Sequence, residues 1–214
     1  WTVTHRTYIG LWMLAWQATK GQAINAQFLD LTDSNLRELP ENFGALKNLV
    51  QLRLNENLLD TLPESFANLK RLRVLDLERN AFRKLPKCLT QLDKLEDLNL
   101  NRNHLRILPD EIRCLERLEN LSLWRNQLKR LPDTLGELNR LVHLGLEENK
   151  LATLPESIGD LNQLVHLDIS HNPIEKLPDS IIGLYRLKTI VISKTEKEMV
   201  EQINSLIPQA HIGS

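Results

Sequence analysis

Leu-Pro recurs at Pro40, Pro63, Pro86, Pro109, Pro132, Pro155 and Pro178, each 23 residues after the last, and the register never slips. A second column, Leu31, Leu54, Leu77, Leu100, Leu123, Leu146, Ile169 and Ile192, keeps the same step across 161 residues. Between the two columns runs an asparagine ladder, Asn57, Asn80, Asn103, Asn126, Asn149 and Asn172, with Ser34 in its place at the start and Thr195 at the end. Self-similarity at one fixed period restricts the chain to a stack of like units. A single unit cannot bury its apolar residues, whereas stacked neighbours give one continuous core. Leucine fills 45 of the 214 positions, so most of its excess is scaffold.

One unit reads Leu72-x-x-Leu75-x-Leu77-x-x-Asn80-x-Phe82-x-x-Leu85-Pro86-x-x-Leu89-x-x-Leu92. Its Leu-x-Leu alternation has period two, which sends Leu75 and Leu77 inward and Asp76 to solvent and predicts a short strand. The following Asn is expected to turn its amide to backbone groups of neighbouring turns, which would otherwise be buried unpaired at the bend. Pro then fixes φ and opens a stretch such as Pro155–Leu161, whose apolar residues at three-residue spacing predict a helical or 3₁₀ return.

In this 23-residue form, LPxx(I/L)xxLxxL, the unit resembles the leucine-rich repeat family. Seven regular repeats and a degenerate eighth match over residues 26–192. The resemblance implies an α/β right-handed solenoid, a horseshoe with a parallel sheet on its concave side. It also implies a protein-interaction module with no catalytic role and no cofactor. Similar repeats occur in Ras-group and Scribble-like scaffolds, in Roco GTPases and in many bacterial proteins. The alternatives are therefore a recognition fragment of a larger enzyme, such as a Roco GTPase or a bacterial ubiquitin-ligase effector, or a bacterial surface or adhesion protein.

The flanks read as covers for the solenoid ends. Ile9, Trp12, Met13 and Trp16 form an apolar stripe at helical spacing, so residues 1–25 are expected to be an N-terminal capping helix, or else a segment that binds a membrane surface or a partner, or a signal peptide with a weak n-region. The stretch is too short to span a bilayer. A first residue Trp1 suggests a trimmed chain. In residues 193–214, Glu196–Leu206 reads as a helix with Met199, Ile203 and Leu206 on one side, stopped by Pro208 and followed by a short closing strand of the kind found in bacterial relatives.

Charge and cysteine content exclude further classes. Lys plus Arg (27) nearly cancels Asp plus Glu (28), without the basic excess that phosphate backbones select, so no nucleic-acid partner is expected. Cys88 and Cys114 form no framework or CxxC pair and read as semi-buried thiols. Extracellular animal members of the family carry cysteine clusters in their caps. Their absence here favours a cytoplasmic or effector-delivered protein, expected to be a monomer. No Gly-rich phosphate loop, GxSxG or HExxH occurs.

Partner-binding residues are expected on the exposed strand positions. One column runs Asp33, Glu56, Arg79, Arg102, Arg125, Glu148 and His171 to Lys194. Three successive arginines on adjacent strands, roughly 5 Å apart, make a costly like-charge row unless it is answered. Asp76, Glu78, Asp97 and Glu119 could answer it; alternatively the row could take an acidic peptide or a carboxylate. The next column holds Asn101, Trp124 and Glu147. Trp124 beside Arg102 and Arg125 has the composition of an interface anchor, or of a tryptophan lying flat on arginine stems. His143 and His166 occupy equivalent positions, with Asp168 and His171 near. They are candidates for partner contact rather than for metal, because equivalent phases bring histidines together without a ligand.

Overall fold

The computed structural model of the chain describes residues 26–193 and 197–213. Nine three-residue strands form one parallel sheet in strict chain order: β1 (Phe28–Asp30), β2 (Gln51–Arg53), β3 (Val74–Asp76), β4 (Asp97–Asn99), β5 (Asn120–Ser122), β6 (His143–Gly145), β7 (His166–Asp168), β8 (Thr189–Val191) and β9 (His211–Gly213). Equivalent residues are partners throughout, as Leu52 with Leu75 and Leu75 with Leu98, so the sequence period is the strand-pairing register. The middle residue of β2–β8 is buried and its two flanking residues face out.

Each of β1–β7 returns through a 3₁₀ turn: η1 (Phe43–Ala45), η2 (Glu64–Asn68), η3 (Lys87–Gln91), η4 (Asp110–Cys114), η5 (Asp133–Glu137), η6 (Glu156–Asp160) and η7 (Asp179–Gly183). From η2 onward the proline of the Leu-Pro pair precedes the first turn residue, with extended backbone such as φ −68° and ψ 152° at Pro155. Its missing N–H costs nothing at that position. Phe43 and Phe66, on η1 and η2, stack at 5.8 Å inside the core. Each fully buried leucine contributes about 1.5–3 kcal/mol, and the core runs unbroken from Leu31 to Ala210.

The asparagine ladder holds the bends together. Asn126 Nδ2 donates to the carbonyls of Leu100 (2.9 Å) and Leu123 (3.0 Å), and its Oδ1 accepts from Leu105 N–H at 3.0 Å. The same pattern repeats at Asn57, Asn80, Asn103, Asn149 and Asn172. An amide with one acceptor and two donors ties two successive repeats at a place water does not reach.

Return turns close up where a residue is small. A Cβ at Gly136 would lie 2.3 Å from the Ser157 carbonyl oxygen, and one at Gly159 2.1 Å from that of Ser180. Thr90 and Arg113 occupy the same phase as these glycines, and η3 packs less closely on η4 than any other consecutive pair of turns.

After β8 the helix Lys197–Leu206 buries Met199 and Ile203, and β9 pairs with β8 at the end of the sheet. The expected N-terminal helix, with Trp12 and Trp16, lies outside the described residues, as do Lys194 and Thr195. No helix among the described residues is long and apolar enough to cross a membrane. The two thiols are not alike, contrary to the sequence reading. Cys88, second in η3, is buried, while Cys114, last in η4, is exposed because that phase points outward.

Candidate partner-binding surface

The arginine column does not lie on the strands. Glu56, Arg79, Arg102, Arg125, Glu148 and His171 sit in the bends after them, each with positive φ between 50° and 57°. One left-handed residue there turns the chain so that the following asparagine points inward. Its N–H still reaches the next repeat, as Arg102 N donates to the Trp124 carbonyl at 2.7 Å. Non-glycine residues rarely adopt this conformation, and the repeat imposes it at every bend.

The like-charge row is answered from within, by partners other than most of those expected. Arg79 meets Glu56 at 3.4 Å, Arg102 Nε meets Glu78 at 3.7 Å, and Arg125 Nε donates to Glu148 at 2.6 Å. Asp97 and Glu119 make no ion pair with the row. Trp124 is half-buried between two guanidinium groups, with Arg102 Cζ 4.4 Å and Arg125 Cζ 4.9 Å from its ring. Its Nε1 donates to Glu148 Oε1 at 3.3 Å. Asn101 Oδ1 accepts from the Trp124 backbone N–H at 2.8 Å, which fixes that bend. The Arg125 hydrogen bond, and then that of Trp124, holds the Glu148 carboxyl below its ordinary range.

The outward strand positions form a different surface. Their first column holds Phe28, Gln51, Val74, Asp97, Asn120, His143, His166, Thr189 and His211. The second holds Asp30, Arg53, Asp76, Asn99, Ser122, Gly145, Asp168, Val191 and Gly213. Four aspartates stand here against one arginine, Arg53, which pairs with Asp30 at 3.5 Å. Burial raises the Asp76 carboxyl, with Glu78 and Asp97 adding to the effect, and burial likewise raises Asp97. Burial, then Asp168 and Glu148, raises Glu147. Arg53 and Gly145 carry no sign of their place in the sequence reading, which followed other columns. Stepping by 23 from Asp76, beside the buried Leu75, reaches both.

His143 and His166 meet as expected, their rings stacked at 4.8 Å and 9°. Burial and the neighbouring His166 lower the His143 pKa. Asp168 turns Oδ1 to the Ser170 N–H and hydroxyl, and His171 Nδ1 lies 3.7 Å from Glu147. Among the described residues no group of three or more His, Cys, Asp or Glu converges as on a metal ion.

A hollow of about 590 Å³ lies elsewhere, on the return side around Leu85, Pro86, Cys88 and Ile107. It follows from the loose η3–η4 packing. Burial pushes the Cys88 thiol up to about 11, so it offers no thiolate for chemistry near neutral pH.

The repeat, the sheet and the ladder together define a leucine-rich repeat solenoid, and the chain belongs to the leucine-rich repeat family. Three sequence profiles of that family match: a leucine-rich repeat region over residues 21–104, and leucine-rich repeats over 94–115 and 116–174. No curated protein sequence matches. Among solved structures, a leucine-rich repeat protein of Leptospira interrogans is similar at 30% identity and TM-score 0.69, over 88% of this chain and 54% of that one. An internalin of Listeria monocytogenes shares the fold at 20% identity and TM-score 0.70, over 83% of this chain and 51% of that one. The ectodomain of the Arabidopsis thaliana receptor kinase GASSHO1, solved with CASPARIAN STRIP INTEGRITY FACTOR 2, is similar at 27% identity and TM-score 0.54, over 72% of this chain and 22% of that one. The chain thus spans about half the length of the two bacterial proteins.

Proposed function

We propose that the chain is a non-catalytic interaction module that binds a protein or peptide partner on its strand face, with Trp124 anchoring the rim. The observation that carries this reading is the contrast between positions. Inward residues repeat as leucine from strand to strand, whereas the outward ones change at each step from Gln51 to Val74, Asp97, Asn120 and His143. A surface that is rigid by virtue of its core and individual by its side chains binds without ordering loops, so little conformational entropy is lost. The receptor ectodomain solved with a second molecule supports the reading by analogy.

A second reading is that the module is the recognition part of a longer protein. It is favoured by the shares of 54% and 51% that the chain covers of its bacterial neighbours.

The test is photo-crosslinking from an unnatural residue placed at Ser122 on the strand face or at Thr90 on the return side. The expected result is one dominant cross-linked partner from Ser122 and none from Thr90. Cross-linking from Thr90 alone overturns the reading.

A further inference from the structure

We propose that the hollow at Gly145 on the strand face is a subsite for an arginine side chain of the partner, a proposal that rests on the strand face being the binding surface.

The hollow follows from side-chain size. Along the second outward column Asn99 gives way to Ser122 and then to Gly145, before Asp168 restores a full side chain. A Cβ at Gly145 would meet only the Ser122 Cα, at 3.9 Å, so among the described residues nothing fills the space above it. The resulting depression is about 280 Å³, with the backbone of β6 and β7 as its floor and His143, His166 and Asp168 around it.

Its walls accept hydrogen bonds and carry no positive charge. Asp168 uses Oδ1 for Ser170, and Oδ2 has no partner among the described residues. The state of His143 follows from its neighbours. Asn120 Nδ2 donates to Asp97 Oδ2 at 3.3 Å, since a carboxylate can only accept. Asn120 Oδ1 therefore faces His143 Nδ1, 2.7 Å away, and that nitrogen must carry the proton. Nε2 is left as a lone-pair acceptor in the neutral ring, the form that burial and His166 favour.

Charge points to the same occupant. Arg53, Arg79, Arg102 and Arg125 are already engaged with Asp30, Glu56, Glu78 and Glu148. Neither Lys nor Arg lines the hollow. Asp168 is left with no basic partner among the described residues, and nearby Glu147 has His171 at 3.7 Å and feels Arg125, whose hydrogen bond goes to Glu148 instead. A guanidinium is planar, donates in several directions from a fixed fork and is weakly hydrated, so it suits a shallow slot between parallel strands with acceptors on separate walls. An ammonium offers one compact, strongly hydrated charge.

The experiment titrates the whole chain with N-acetyl-arginine amide, N-acetyl-lysine amide and the neutral isostere N-acetyl-citrulline amide, following the backbone amides of Ser122 and Gly145 and the ring signals of His143 and His166 by NMR. Saturable shifts with the arginine compound are expected, at least tenfold tighter than with either of the others. Gly145→Val should fill the hollow and weaken binding at least tenfold without loss of fold, because Val191 already occupies the same position in β8. Asp168→Asn should weaken it similarly. Absence of saturable shifts, equal binding of citrulline, or indifference to both substitutions overturns the proposal, and equal binding of the lysine compound overturns the assignment to arginine. A failed titration combined with strand-face cross-linking from Ser122 would sink this subsite alone. Arginine binding combined with cross-linking only from Thr90 would sink the broader reading.

Discussion

Trp124 and Glu148 are joined across adjacent repeats: the indole Nε1 donates to one carboxylate oxygen at 3.3 Å while the other accepts from Arg125 Nε at 2.6 Å. The tryptophan is thus held in place before any partner arrives, which is how an interface anchor loses least on binding. Trp124→Ala removes two cation–π contacts at a half-exposed site and should cost about 1–2 kcal/mol of stability. Urea denaturation measures the cost. Partner affinity should fall by tenfold or more in the same variant, and a loss of stability above about 4 kcal/mol would make Trp124 part of the scaffold instead.

Asn126→Ala should be far more damaging than its small change in volume suggests. It strands the carbonyls of Leu100 and Leu123 and the N–H of Leu105 in the interior. At about 1–3 kcal/mol for each buried group left unpaired, partly relieved by relaxation, the expected loss is about 3 kcal/mol. The denaturation midpoint measures it.

Gly159→Ala tests the packing of the return turns. Its Cβ would fall 2.1 Å from a backbone oxygen of η7, so η6 and η7 must separate. Destabilisation of about 1–3 kcal/mol is expected, the usual range for overpacking. Thr90→Ala, where the turns already stand apart, should change the melting temperature little.

Asp76→Asn should raise stability at pH 7. Burial raises the folded Asp76 carboxyl above its unfolded value, so ionising it in the folded protein costs free energy. The folded state binds the proton more tightly. The stabilising effect of that tighter binding is therefore complete below the unfolded carboxylate range and lost as pH rises through the folded value. The variant escapes this loss. It should melt about 1–3 °C above wild type at pH 7, with the gap closing as pH falls toward the carboxylate range, and thermal scans across pH follow the gap.

The scaffold was legible because it is written many times. Strand order, register, the 3₁₀ return and the role of Asn80 and its equivalents all follow from one 23-residue phase. The surface was less so, for a reason visible at Arg102. Counting outward from Leu100 places this residue on a strand, yet the strand pair is Asp97–Asn99 with Asn120–Ser122 and the chain has already bent. Left-handed backbone is usually signalled by Gly or Asn. Here it carries Arg, Glu or His, so no local cue marks the bend. The ion pairs that neutralise the arginine row depend on side-chain reach between repeats. Glu148, which accepts one hydrogen bond from Trp124 and one from Arg125, gives no sign of this in the linear sequence.

Two charge reversals decide which face of the solenoid binds. Asp168→Lys on β7 and Asp133→Lys on η5 change charge equally, one on the strand face and one on the return side. With affinity for the cross-linked partner as the readout, Asp168→Lys should weaken binding at least tenfold and Asp133→Lys less than twofold. The reverse order would contradict the account.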